Sequence, residues 1–452
     1  MNDTVEKPEK AGRLSALRDA IDDGAVRSAE RMINSLHPAE IAALLESLPP
    51  PQREIVWELT DPDLDGEVLI ELSESVRRQL IREMDPEELA AATEDLEVDD
   101  LADLIAGLPE TAIQQLLRGM DQQDRERLTR VLSWPEDSAG GLMNTDTVSV
   151  RADVSLGVVQ RYLRMRGELP ERTDRLFVVD RNDRFQGTLT LARLLTGDPD
   201  EVAGACLDPE APRITPSMES HEVARLFKDR DLVSAAVVGD SGLLLGRITV
   251  DDVVDVIDEE AAHQVMSRAG LGDDEDLFAG VIPSMRRRLI WLGVNLVTAF
   301  FAASVVHRFE STIERVAALA ALMPIVASMG GIAGTQTVTL IIRGLALGQV
   351  QWRDARWLLF RELGVASING SAAAIVVGAA TAFWIGHWQI AAVIGAAMLT
   401  NLLAAALVGT MVPLTLRRLN IDPALAAGVV LTTFTDCIGF ATLLGLGALF
   451  LH

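Results

Sequence analysis

Cysteine is nearly absent from this 452-residue chain: Cys206 lies in a polar stretch and Cys437 in an apolar one. Residues in such different surroundings do not meet in a structural disulfide, and the polar part of the chain reads as cytosolic. The six histidines are scattered, and an HExxH pair, a phosphate-binding loop and any Cys–His or Ser–His–Asp grouping are missing. Those gaps argue against an enzyme and leave no ATPase motif to drive a pump. The opening "MNDTVEKPEKAGRL" lacks the apolar core of a signal peptide, so the first membrane helix is expected to serve as the export signal.

Acidic residues all but vanish from one part of the chain. Residues 1–285 hold 60 Asp and Glu against 29 Lys and Arg, net −31; from Arg286 onward 6 acids face 11 bases, net +5. An acidic region of that size repels nucleic acid and anionic lipid surfaces and attracts cations. Metal ions are the ligands it favours.

After Arg286, Arg287 and Arg288 the chain turns apolar, and five segments of spanning length follow: 289–307, 316–342, 358–385, 388–416 and 424–450. Arg343, Arg353, Arg356, Arg361, Arg417 and Arg418 fall on the same side as the arginine triplet. The opposite connections carry only Arg308 and Arg315, balanced by Glu310 and Glu314, and then "GHWQ". This asymmetry predicts a multi-pass protein of the cytoplasmic membrane with its N-terminus inside and its C-terminus outside.

The spans are rich in Gly, Ala, Ser and Thr, more than an anchor needs. In the second, "MPIVASMGGIAGTQTVTLIIRG", Pro324 with Gly330, Gly331 and Gly334 is expected to weaken the helix and free backbone carbonyls beside Thr335, Gln336 and Thr337. A close-packed helix crossing is the competing reading. Asn369 and Asn401 place amide oxygens at membrane depth, as interhelical contacts or as ligands. Asp436 stands apart: a carboxylate amid Thr432, Thr433 and Thr435 in the last span costs roughly 2.5–3.5 kcal/mol without a partner, a wet cavity or a cation.

The acidic part contains a repeat offset by 59 residues, "FVVDRNDRFQGTLTLARLL" (177–195) against "AVVGDSGLLLGRITVDDVV" (236–254). Each copy reads as strand, turn, strand and helix. The pair resembles tandem CBS domains, a regulatory module that often binds adenine nucleotides. Arg175 and Arg193 stand where a ring-stacking residue and an acid would suit such a ligand. Residues 14–133 are expected to be helical in short pieces opened by Pro or Asp-Pro, forming an α-superhelix. Residues 250–270 read as a helix with Asp251, Asp252, Asp255, Asp258, Glu259 and Glu260 within ten positions. Like charges at helical spacing destabilise an isolated helix, and bound hard divalent cations reverse the sign.

Three strings, "EDSAGGLMNTDTVSV", "GGIAGTQTVTLIIRGLA" and "RRLNIDPALAAGVVLTTFTDCIGF", together with the order of parts, resemble the MgtE family of magnesium channels over nearly the whole chain. The resemblance implies a multidomain membrane protein: an all-α superhelical N-domain (1–135), α/β tandem CBS domains (136–257), a plug or linker helix (258–285) and an all-α five-helix transmembrane domain (286–452). It implies a homodimer in membrane lipid, with a pore on the two-fold axis that passes Mg2+ inward without energy input. Asp436 would hold the ion, with Thr432, Gly428, Gly330, Gly331 and Asn401 around it.

Regulatory Mg2+ would bridge the cytoplasmic parts through Glu67, Asp99, Asp103, Glu219, Asp231, Asp252, Asp255, Asp258, Glu259 and Glu260, with Asp422 at the cytoplasmic mouth. The chain departs from the family pattern at His221, Lys228, His263 and Gln264, where oxygen ligands are expected, and at Ile332 and Gly428 beside the pore. These departures predict a weaker magnesium lock, closing at higher Mg2+, and altered selectivity. Competing readings are transport of another divalent metal such as Mn2+ or Co2+, which Cys437 leaves open although the lack of other soft ligands near Asp436 argues for hard ions, and a CBS-type membrane sensor that transports nothing. A CBS-regulated anion channel would need more spans and basic residues aimed into the pore.

Overall fold

The computed structural model describes residues 25–451 apart from 95, 107, 109–112, 114, 115, 118, 119, 121, 273, 274 and 420. The first part of the expected helical stretch, 14–24, lies outside the described residues. Two compact units emerge, one holding the residues up to 262 with the segment 275–279, the other 263–272 with 280–451.

The first unit begins with short helices: α1 (Val26–Ile33), α2 (Pro38–Glu46), α3 (Pro50–Glu58), α4 (Asp65–Glu71), α5 (Glu74–Glu83), α6 (Pro86–Ala92), α7 (Val98–Ala106) and α8 (Gln122–Val131). Proline opens α2, α3 and α6, where its missing N–H costs no hydrogen bond. His37 and Asp85 cap α2 and α6 with Glu40 and Glu88 reaching back, so successive helices start at fixed points. Ile33, Ile41, Leu45, Val56, Leu69, Leu80 and Leu128 are fully buried, and this core continues into the second repeat through Val223, Val237 and Ile248.

Each repeat copy is a three-stranded sheet. The first has β1 (Ser149–Arg151), α9 (Leu156–Arg166), β2 (Arg175–Val179), β3 (Phe185–Thr190) and α10 (Leu191–Thr196); the second has β4 (Arg213–Ile214), α11 (Ser220–Arg230), β5 (Ser234–Val238) and β6 (Leu244–Thr249). In both, the first strand runs parallel to the second and the second antiparallel to the third. The register shifts at Val178/Val179 and again at Val237/Val238, the same point of the repeat. The turns match as well: Asp183 and Gly242 both take positive φ, 57° and 81°. The copies meet there, with the Phe185 N–H donating to Gly242 O at 2.9 Å and the Leu244 N–H to Asp183 O at 3.2 Å.

From β6 the chain enters α12 (Val250–Arg268). The segment expected as one helix over 258–285 is instead the end of α12, an irregular stretch and the start of α13 (Val281–Arg308). Gly270 causes the break: at φ 69° it closes α12 with the Leu271 N–H on Met266 O and its own N–H on Ser267 O. A left-handed residue followed by those two bonds is a stable helix stop.

The second unit continues with α14 (Glu310–Arg315), α15 (Ala318–Ala346), α16 (Ala355–Ile385), α17 (Trp388–Arg418) and α18 (Pro423–Phe450). Among the described residues five helices are long and apolar enough to cross a membrane, close to the expected limits. The arginine triplet lies inside α13 and not ahead of it. α15 corrects a second expectation, because it runs unbroken through Pro324 and the glycines. Its small residues admit neighbouring side chains and leave the helix intact. α17 packs against α15, α16 and α18 and is half buried, whereas α13 leaves Leu289, Ile290, Phe300 and Phe301 exposed.

Candidate functional site

In the membrane unit, α15 and α18 enclose an open cleft of about 520 Å³ lined by Ala327, Ser328, Gly331, Ile332, Thr335, Gln336, Thr432 and Asp436. Three of the expected pore residues, Asp436, Thr432 and Gly331, meet there. Every hydroxyl of the threonine run is returned to the helix backbone: Thr432 to Gly428 O at 3.0 Å, Thr433 to Val429 O at 2.8 Å and Thr435 to Leu431 O at 3.1 Å. Asp436 accepts no hydrogen bond and makes no ion pair among the described residues. The carboxylate thus lies at membrane depth in an open cleft, with no counter-charge among the described residues.

Gly428, Gly330 and Asn401 do not line the cleft. Gly428 contributes only the carbonyl that Thr432 occupies. Asn401 is fully buried behind α15, where its Nδ2 donates to Val326 O at 2.8 Å. Gly330 and Gly439 make room for it, since a Cβ on either would stand 2.2 Å or 2.9 Å from Asn401 Nδ2. Asn401 thus ties α17 to α15, with Gly330 of α15 and Gly439 of α18 packed against its amide. Asn369 is exposed on α16.

Sequence reasoning missed Glu362. It is buried in α16, accepts a hydrogen bond from Thr337 of α15 at 3.2 Å and pairs with Arg361 at 2.8 Å. Its signal was available, as the single acid of the third span. With Asn401 it holds α15 at Thr337 and Val326, two residues outside the cleft lining, while Ser328, Thr335 and Gln336 line the cleft with Asp436.

In the first unit, the carboxylates of α7 and α12 confront one another. Asp99 is 6 % exposed, and its Oδ1 has no hydrogen-bond partner. Burial, then Asp252, Asp100 and Glu97, push its carboxyl well above the usual range. Burial and Asp251 raise Asp252 to about 7 against the Thr249 donors. Burial and Glu97 raise Asp100 to about 6, and burial and Glu136 raise Asp103 to about 7. Asp255 and Glu259 are also raised, by desolvation and then by Glu71 and by Asp255 respectively. Compensation is partial: Arg172 reaches Asp251 at 2.6 Å, Arg247 lies 3.9 Å from Glu97, and Arg77 acts on Asp103 and Glu259.

The other expected regulatory residues lie elsewhere. Glu67 is exposed on α4, while Glu71 one turn on faces Asp255. Glu219 precedes α11 and pairs with His221 at 3.2 Å; Asp231 ends the same helix in the left-handed conformation; Lys228 is exposed between them. Asp258 and Glu260 are exposed on α12. In the second unit Asp422 caps α18 by accepting from the Ala424 N–H at 2.9 Å and meets His263 at 3.2 Å. Among the described residues no three Asp, Glu, His or Cys side chains converge as a metal centre. The Asp99 Oδ1 beside Asp252 is a buried acceptor without a hydrogen-bond partner among the described residues.

The first repeat copy carries Arg193 where the second carries Asp252; Arg193 pairs with Glu201 at 3.0 Å and Arg175 with Asp174 at 2.7 Å.

Family comparison gives a divalent cation transporter domain at residues 323–446, an MgtE intracellular N domain at 36–137 and CBS domains at 139–198 and 203–259. The chain is 32% identical to magnesium transporter MgtE of Thermus thermophilus over 444 residues, covering 97% of this chain and 98% of that protein. It is 26% identical to magnesium transporter MgtE of Bacillus subtilis over 430 residues, covering 95% of each. Among solved structures, the cytosolic domain of the Mg2+ channel MgtE in complex with ATP matches at TM-score 0.50 and 31% identity, over 54% of this chain and 99% of that one.

Two expectations follow from this geometry. Replacing Asn401 with Leu should lower the melting stability of the detergent-solubilised protein by about 1 kcal/mol, the scale of interhelical hydrogen bonds in membranes. Carboxylates raised in the folded state bind protons more tightly there than when unfolded. Their contribution is therefore full below about pH 4 and is lost as pH rises toward 7. Without divalent ions, unfolding of the first unit in the full chain should become easier between pH 5 and 7, by on the order of 2 kcal/mol. Chemical denaturation followed by fluorescence reads this out.

Proposed function

The chain belongs to the MgtE family of magnesium transporters, and from that premise we propose that it passes Mg2+ passively into the cell through a pore built around Asp436. The observation that carries this reading is the unpaired Asp436 carboxylate in the cleft between α15 and α18. A homodimer would set two such cleft faces across a two-fold axis in the lipid bilayer. Two facing carboxylates repel strongly in a low dielectric unless a cation lies between them. Mg2+ keeps several of its waters, so carboxylates with Ser328, Thr335, Gln336 and Thr432 make a reasonable partly hydrated site. A divalent ion crossing 100 mV, negative inside, gains roughly 4.6 kcal/mol, so no energy source is required.

In this reading the N-domain (1–135), the CBS pair (136–257) and the linker (258–285) sense cytosolic Mg2+, and the membrane domain (286–452) conducts, with the N-terminus inside and the C-terminus outside. The carboxylates of α7 and α12 support a gate in which Mg2+ supplies the charge that Arg77, Arg172 and Arg247 do not. Asp99, Asp103, Asp252, Asp255 and Glu259 are the regulatory ligands this favours. His221, Lys228 and His263 reduce the number of ions the gate engages, which supports closure at higher Mg2+ than a fully acidic lock needs. An adenine nucleotide at the CBS pair is supported by the ATP-bound relative, with the Arg193–Glu201 pair as an obstacle in the first copy.

Mn2+, a hard ion like Mg2+, and Co2+ are the alternative cargoes to test at Asp436. In reconstituted vesicles Asp436→Ala should reduce Mg2+ uptake at least 10-fold, with Mn2+ and Co2+ as competitors on the wild type. Unchanged uptake in Asp436→Ala refutes the pore assignment. Ile332→Asn, which returns a polar group to the cleft, should raise the preference for Mg2+ over Co2+ several-fold; an unchanged ratio contradicts a part for Ile332 in selectivity.

A further inference from the structure

Arg53 is the largest side chain fully withdrawn from solvent among the described residues, and it is charged. α2 and α3 hold it through their own backbone: its Nε donates to Leu45 O at 2.8 Å and its Nη2 to Glu46 O at 3.5 Å. Gln79 of α5 accepts from Nη1 at 3.3 Å. All of these acceptors are neutral. The anion arrives from 223 residues further along the chain, as Asp276 receives Nη1 at 2.6 Å and Nη2 at 2.8 Å in a two-pronged pair. Phe278 adds its ring 5.9 Å from the guanidinium carbon, and its N–H donates to Asp276 Oδ1 at 2.9 Å, which folds the segment around the carboxylate.

A guanidinium without solvent and without an anion is costly, whereas a planar fork on a carboxylate satisfies both charge and geometry. The socket of α2, α3 and α5 is therefore incomplete without Asp276. Burial alone would raise the Asp276 carboxyl, and the Arg53 hydrogen bonds outweigh it and hold the group below its ordinary range.

Asp276 stands five residues before α13, the first helix of spanning length. We propose that the Arg53 socket is a metal-independent latch that holds the segment leading into the first membrane helix, giving the N-domain a direct grip on that helix besides the Mg2+-dependent contact of α12. The bearing on gating rests on the gated-pore reading; the latch itself does not. The acidic contact strengthens with divalent ions, while the latch holds at any Mg2+ concentration. Together they make the closed arrangement a sum of a constant part and an ion-dependent part.

The test is amide exchange on the full-length protein in lipid nanodiscs, wild type against Asp276→Asn, with no Mg2+ and at saturating Mg2+. The latch predicts that amides of 275–280 are protected in the wild type under both conditions and exchange at least 10-fold faster in Asp276→Asn. The Mg2+ concentration that halves flux in vesicles should rise several-fold in the variant. Protection of 275–280 that is equal in the two proteins overturns the proposal, as does an unchanged flux midpoint. If the wild type conducts no Mg2+, the pore reading fails, and the exchange comparison still decides the latch. If Asp276→Asn melts the N-domain, Asp276→Glu keeps the anion on a longer arm: restored protection supports the latch, and protection still lost in a folded Asp276→Glu protein overturns it.

Discussion

Repulsion between carboxylates crowded along α7 and α12, buried at Asp99 and open to solvent at Asp103, Asp255 and Glu259, is the constraint on which this protein is organised. Asp99 and Asp252 sit where neither gains a protein partner that neutralises it, and Asp100, Asp103, Asp255 and Glu259 extend the same imbalance along α7 and α12. Such a contact has three ways to persist: protonation, a tethered base or a bound cation. The raised carboxyls express the first and Arg172 on Asp251 the second. The third, on the proposed reading, would couple the fold of the acidic unit to the ion that the family transports.

Asp436 states the same problem in a different solvent. Its neighbours Thr432, Thr433 and Thr435 spend their hydroxyl protons on their own helix, so the carboxylate keeps its full acceptor capacity toward the cleft. The opposite wall belongs to α15, which Asn401 and Glu362 hold at Val326 and Thr337. Small residues at 330 and 439 make room for Asn401, and Ile332 with Ala327 and Gly331 sets an apolar part of the cleft beside Ser328, Thr335 and Gln336.

Much of this is legible in the sequence. Hydropathy marked the five spans to within a few residues at most ends, because a membrane helix needs a long apolar run whatever it packs against. The 59-residue repeat likewise surfaced in paired strands, a shared register shift and a shared left-handed turn position. Composition alone was weaker on what glycine and asparagine do: Gly330 and Asn401 read equally well as pore lining or packing, and only the distance between them separates the two. Gly270 ended the linker helix early because a left-handed residue outweighs helical periodicity on either side. Arg53 was out of reach, since its partner lies 223 residues away and nothing local distinguishes it from a surface arginine.

The central claim is that divalent cations supply the charge missing between α7 and α12. The most direct measurement is amide exchange of those two helices in the full-length protein at pH 8, titrated with Mg2+ at constant ionic strength. Protection of α7 and of the first turns of α12 should rise saturably with Mg2+, and less Mg2+ should be needed at pH 6, where protons already do part of the work. Protection that is indifferent to Mg2+ at pH 8, or that K+ of equal ionic strength reproduces, would contradict the account.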